Sequence, residues 1–123
     1  MPNKRSDRVG HLIQMEISNL LLHRVKDPRI GFVTVTHVGV APDMKSARVF
    51  YSVMGGEKAQ AECQKGLVKA AGFLQREIGT ALRLRYTPHL TFEYDDTIDR
   101  RMEIDQVLRQ IKQSETREDE KNA

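Results

Sequence analysis

The sequence predicts an α+β domain, a three-stranded sheet with helices on one face. Three observations carry that reading. Two β-branched runs flank a short turn. A long amphipathic helical pattern follows them. A third alternating run then precedes a last helical stretch.

The first helix is expected from about Ser6 to Arg24. Val9, Ile13, Ile17, Leu20 and Leu21 recur at three- and four-residue steps, so they share one face. Ser6 is placed to cap it, and Asp7 meets the positive end of the helix dipole. Met15 and Leu22 lie on the far side and are expected to pack under the C-terminal segment, with a small contact patch as the alternative. Asp27-Pro28 ends the helix, because the residue before proline is pushed out of the α region. Phe32 to Val38 reads as the first strand and Ala47 to Val53 as the second. The short turn Ala41 to Lys45 makes them an antiparallel hairpin.

Gly55-Gly56 breaks the chain, and a helical pattern runs from Glu57 to Leu84. Cys63, Leu67, Ala70, Leu74, Ile78 and Leu82 form its apolar stripe. Gly72 lies inside it, and a glycine there costs about 1 kcal/mol relative to alanine. The helix is therefore expected to bend or break at Ala70-Ala71-Gly72. Leu90 to Tyr94 alternates and reads as the third strand. A last helix is expected from Thr97 to Gln113. Residues 1–113 form one domain, and 114–123 form an acidic, disordered tail.

Of the 123 residues 39% are hydrophobic, enough for one core and too little for two. No run approaches the ~18 apolar residues of a membrane-spanning helix. The N-terminus has no apolar signal core. Cys63 is the single cysteine, which excludes a disulfide framework and any multi-cysteine zinc site. A cytoplasmic chain is expected.

The net charge of +3 is unevenly spread. Residues 1–92 hold 14 Lys and Arg against 7 Asp and Glu, whereas residues 93–123 hold 6 against 10. A basic body points to a polyanionic partner. On the long helix Lys58, Lys65, Lys69, Arg76 and Arg83 fall within about 20° of one line, opposite the apolar stripe. A solvated helix face usually mixes signs to gain i,i+4 pairs. This stripe is of one sign, with Glu62 only at its edge, so phosphate contacts suit it, and a plain solvated face stays open beside that reading. A second basic group comprises Lys4, Arg5, Arg8, Arg24, Lys26 and Arg29, with Lys4 and Arg5 expected on a flexible arm. Arg29 has a rival role, pairing with Asp27 to fix the turn. Arg83 and Arg85 extend the positive surface past the helix end.

No catalytic constellation is visible. His11, His23, His37 and His89 are scattered, and Cys63 reads as a small buried hydrophobe. Asp95, Asp96 and Asp99 read first as helix N-terminal acids and only second as a metal site. No enzyme activity, no metal and no cofactor are expected. Two other classes stay open. One is a protein-interaction module or a generic RNA-binding protein. The other is a small metal-dependent enzyme using those aspartates.

The ordered segments Val25-Lys26-Asp27-Pro28-Arg29-Ile30-Gly31, Val33-Thr34-Val35-Thr36 and Ala41-Pro42-Asp43-Met44 resemble one known family. Ala47-Arg48-Val49, Ala70-Ala71-Gly72 with Arg76, Leu84-Arg85, Pro88, Leu90 and Phe92-Glu93-Tyr94-Asp95 continue the likeness. Over about residues 5–111 the chain resembles the bacterial ribosome-binding factor A family. The resemblance implies a KH-like type II fold, αββααβ, to which a C-terminal helix and tail are added. It implies that an Ala-x-Gly kink replaces the Gly-x-x-Gly clamp of RNA-binding KH domains. It further implies a ribosome biogenesis factor that binds the immature 30S subunit and 16S rRNA. The role would be late maturation, including 5′-end rRNA processing, with cold adaptation as a family association. A maturation GTPase is the implied displacing partner, no membrane is involved, and the chain is expected to be a monomer. The residues expected to meet RNA are Arg5, Arg8, Lys26, Arg29, Lys65, Lys69, Arg76, Arg83 and Arg85.

Overall fold

The computed structural model describes residues 4–121. Its elements are α1 (Lys4–His23), β1 (Val33–Val40), β2 (Ser46–Val53), α2 (Glu57–Ala81), β3 (His89–Tyr94) and α3 (Thr97–Lys121). The sheet order is β1-β2-β3, with β1 and β2 antiparallel and β2 and β3 parallel. This is the expected α+β, KH-like arrangement. No described helix is long and apolar enough to cross a membrane.

Alternation along the strands sorts the two faces of the sheet. Ala47, Val49 and Tyr51 of β2 are buried, as are Leu90 and Phe92 of β3. α1 packs on β1 through the buried Ile13, Ile17 and Leu20. α2 covers β2 and β3 with Cys63, Leu67, Leu74 and Ile78. Each fully buried aliphatic side chain contributes about 1.5–3 kcal/mol. The opposite face is polar, and there Arg48 holds the Glu93 carboxylate at 2.6 and 3.1 Å.

β1 contains a bulge that the regular strand reading did not anticipate. Pairing passes from Val35↔Tyr51 directly to His37↔Phe50, which leaves Thr36 extra. The bulge returns Val38 to the buried face. It also aims the Thr36 hydroxyl at Asp95 Oδ2, 2.6 Å away.

Four expectations are corrected. α2 is continuous across Ala70-Ala71-Gly72, one helix of 25 residues, so of the expected bend or break the break is ruled out. The local cost of a glycine is smaller than the burial its neighbours on the apolar stripe gain, so the helix runs on. α1 begins at Lys4, which places Lys4 and Arg5 on the helix and not on an arm. Ser6 is therefore buried within the first turn and does not cap the helix. α3 passes Gln113 and reaches Lys121, so most of the expected disordered tail is helical. A started helix gains one hydrogen bond per added residue, which lets polar residues prolong it. The last two tail residues, Asn122 and Ala123, lie outside the described residues.

α3 stands away from the body. Ile98, Met102, Ile104, Val107, Leu108 and Ile111 are all about half exposed or more. Met15 and Leu22, at 71% and 76% exposed, are not covered by it, contrary to expectation.

Gly10 marks the contact of α1 with β1, where a Cβ would stand 2.7 Å from the Val38 carbonyl oxygen. Gly10→Ala gains up to about 1 kcal/mol in helix propensity. It also forces backbone apart, at about 1–3 kcal/mol. The clash wins because a strand backbone cannot step aside as a flexible side chain can. Urea denaturation of this variant should show a net loss of stability.

Candidate nucleic-acid interface

The packing of α2 sets which of its sides meets water. With Cys63, Leu67, Leu74 and Ile78 against the sheet, Lys58, Lys65, Lys69 and Arg76 are left exposed on the outer side. From Lys58 to Arg76 this line spans about 27 Å at 1.5 Å per residue, and Arg83, expected on the same line, lies past the helix end at Ala81. Lys65 reaches Glu62 at 3.7 Å, across a pair that is 67% and 41% exposed and therefore weak. At Gly72 a Cβ would stand 3.6 Å from the Arg76 guanidinium, an ordinary van der Waals contact.

The turn after α1 lies beside this line. The Arg29 guanidinium donates to both oxygens of Asp27, at 3.1 and 2.8 Å, and the Arg29 backbone N–H donates at 3.0 Å. Arg29 therefore takes its rival role and fixes the turn. These hydrogen bonds hold the Asp27 carboxyl down at about 2, helped by the charge of nearby Lys69. Ile30 and Asp27 approach α2 at Gly66, where a Cβ would meet Ile30 Cγ1 at 2.7 Å. Lys26 is exposed on the same turn. Arg24 is differently engaged: it pairs with Glu77 at 3.0 Å and lies 5.3 Å over the Phe73 ring.

A second basic group forms beyond the C-terminal end of α2. Leu82 closes the helix, and Arg83 follows in the left-handed region with φ 51°. The Arg83 N–H donates to Thr80 at 3.3 Å and the Leu84 N–H to Gly79 at 3.1 Å. This is a Schellman cap, in which glycine usually takes the place Arg83 holds. Arg5 and Arg85 line one cleft here, together with Lys45. Arg8 is exposed on α1. The fold thus brings Lys69 beside the Asp27–Arg29 turn, which also carries the exposed Lys26, and Arg5 together with Arg85. Arg76 stands between the two groups along α2.

Lys45 and Tyr86 were missed in the sequence. Lys45 read only as part of a turn, and it meets Arg85 because parallel pairing sets Ser46 beside His89. The signal for Tyr86 was an aromatic directly after Arg83-Leu84-Arg85, ahead of the buried Pro88.

The residues weighed for other chemistry are engaged elsewhere. Asp95 accepts from Thr36 and from the Thr97 N–H, and those bonds hold it down at about 2. Asp96 accepts from Arg100 at 3.0 Å, and Asp99 from the Tyr94 hydroxyl at 2.8 Å. Among the described residues no group of three or more His, Cys, Asp or Glu is placed to hold a metal ion. Cys63 is fully buried and its thiol is pushed up to about 11 by burial.

Known proteins share this chain's sequence and fold. Residues 5–108 match the family described as "Ribosome-binding factor A". A ribosome-binding factor A of Halothermothrix orenii is 43% identical over 115 residues, 94% of each chain. One of Geobacter sulfurreducens is 45% identical over 107 residues, 87% of this chain and 91% of the relative. A homology model of Thermus thermophilus ribosome binding factor A, as fitted into the cryo-EM map of a complex with 30S, is similar in fold. It has a TM-score of 0.56 and 21% identity, covering 77% of this chain and 96% of that one.

A carboxylate held below its ordinary pKa near 4 stabilises the fold above that value. The contribution disappears as pH falls towards 2, so acid unfolding of Asp27→Asn should depend less on pH between about 4 and 2. Urea midpoints measured across that range check it. Arg83→Gly should raise stability by about 1 kcal/mol, because it removes a left-handed non-glycine residue. It should also weaken RNA binding. A melting curve and an RNA titration on the same sample test both halves.

Proposed function

The chain belongs to the ribosome-binding factor A family, and on that footing we propose that it is a non-enzymatic 30S assembly factor. It docks on 16S rRNA through the positive face of α2 and holds one arrangement of the rRNA during late maturation. Processing at the 5′ end of 16S rRNA then proceeds on that arrangement. The factor works in the cytoplasm as a monomer, and a ribosome-maturation GTPase displaces it. Its absence is felt most in cold growth, when RNA rearranges slowly.

The observation that carries this reading is the face of one sign. Lys58, Lys65, Lys69 and Arg76 lie in line on one exposed side, and α2 is fixed in rotation by its buried stripe. Like charges in a row repel one another, and an external polyanion relieves that repulsion. RNA contributes a row of phosphates, and each neutralised phosphate releases counterions. Arg83 and Arg85 extend the face, while Arg5, Arg8, Lys26 and Arg29 flank it. The relative fitted into a 30S complex supports the same partner.

A second reading, a protein-interaction module, is favoured by one observation. Ile104, Val107, Leu108 and Ile111 form an exposed i, i+3, i+4, i+7 stripe on α3. Binding that survives nuclease treatment of a ribosome-free lysate would favour it over the first.

The test is sedimentation. Tagged chain from cold-grown cells should migrate with 30S particles. Joint substitution of Lys65, Lys69 and Arg76 by Glu should abolish that while leaving the melting temperature near wild type. The salt slope of RNA binding should fall by about 1 for each phosphate no longer neutralised. Unchanged migration of the triple variant would remove the α2 face from the site.

A further inference from the structure

A cleft of about 540 Å³ lies where the start of α1, the β1–β2 turn and the α2–β3 loop converge. Three cations line it, Arg5, Lys45 and Arg85, one from each segment. One acid, Asp43, shares the lining, and its carboxylate accepts the Lys45 backbone N–H at 3.0 Å. Between the charges stand Met44, Leu84 and Tyr86.

Tyr86 is the unexpected member. A tyrosine in a small domain usually buries its ring, as Tyr51 does at 1% exposure, yet Tyr86 is 76% exposed. The Arg85 guanidinium lies 5.5 Å from its ring centroid. Strain gathers at the same place. Met44 and Arg83 are the non-glycine residues with positive φ among the described residues, at 62° and 51°. Met44 lines the cleft, and Arg83 adjoins its Leu84 wall. Backbone strain concentrates where a surrounding site demands it.

An exposed aromatic face, thioether and aliphatic walls and three converging cations match the parts of a nucleotide. The volume is within the range of small-ligand sites, roughly 300–1,000 Å³. Bases within a duplex are stacked on each other, so a base that reaches a protein aromatic comes from an unpaired strand. Stacking on tyrosine is tolerant of base identity. We propose that this cleft takes one unpaired nucleotide of an RNA strand, its base stacked on Tyr86 and its phosphates held by Arg5, Lys45 and Arg85. The inference rests on the RNA-binding reading above and adds a single-stranded subsite beyond the end of the α2 face.

The chain has no tryptophan, so Tyr86→Trp installs a sole indole at the cleft. Titration with a mixed-sequence single-stranded RNA oligonucleotide should quench its fluorescence to a plateau. Tyr86→Ala should weaken oligonucleotide binding about tenfold, equivalent to about 1.4 kcal/mol, and Tyr86→Phe should stay within about twofold. Affinity for duplex RNA of equal length should be unaffected in all three. The exposed position leaves the melting temperature of each variant as a control on folding. Wild-type oligonucleotide affinity in Tyr86→Ala, or an unquenched indole at saturation, overturns the proposal. So does 30S binding by a chain that takes no oligonucleotide. Tyr86→Ala losing 30S association at unchanged oligonucleotide affinity also overturns it and assigns the cleft to a ribosomal protein. A wild-type chain that binds neither RNA nor 30S particles instead defeats the broader functional reading.

Discussion

Only one face of the sheet is closed by helices, and their seating on it governs where everything else lies. α1 crosses β1 and is brought against the strand backbone at Gly10. α2 covers β2 and β3. The chain between the helices threads past α2 at Gly66, where Ile30 fills the space a side chain would need. The Asp27–Arg29 pair holds that passage in shape. With both helices set at close approach, α2 has no freedom to roll. Its outward side is therefore decided by its inward side.

This seating explains how a modest net charge becomes a directed surface. A helix with scattered lysines would be a solvated rod. Here the apolar stripe and the basic stripe lie on opposite sides, so fixing one displays the other. The two functional regions also differ in origin. The α2 face is built within one element. The cleft around Tyr86 is assembled from three segments that meet only in the folded chain.

That difference accounts for what could be read in the sequence. The elements follow from periodicity, and the single-sign line on α2 follows from the same arithmetic. Lys45 carries no local signature, because the Arg85 it shares a cleft with is about 40 residues away in the chain and brought near by parallel pairing. Tyr86 had a local signal beside Arg85, but nothing in the sequence shows that its ring stays exposed. The bulge at Thr36 was nearly legible: Val35 and Val38 are both buried, and a regular strand places residues three apart on opposite faces. Gly72 misled because propensity is a weak prior beside packing. The C-terminal stretch misled because it lacks apolar residues, whereas helix continuation depends on the turn before it.

α3 extends about 37 Å from its first residue to its last at 1.5 Å per residue. Its own charges nearly cancel, with 7 Asp and Glu against 6 Lys and Arg over residues 97–121. The rest of the acidic excess sits before it: Glu93 is paired with Arg48 and Asp95 is held by Thr36. A nearly neutral rod adds friction with the solvent but little field. It slows the tumbling of the basic body without blunting the positive potential that draws a polyanion to it.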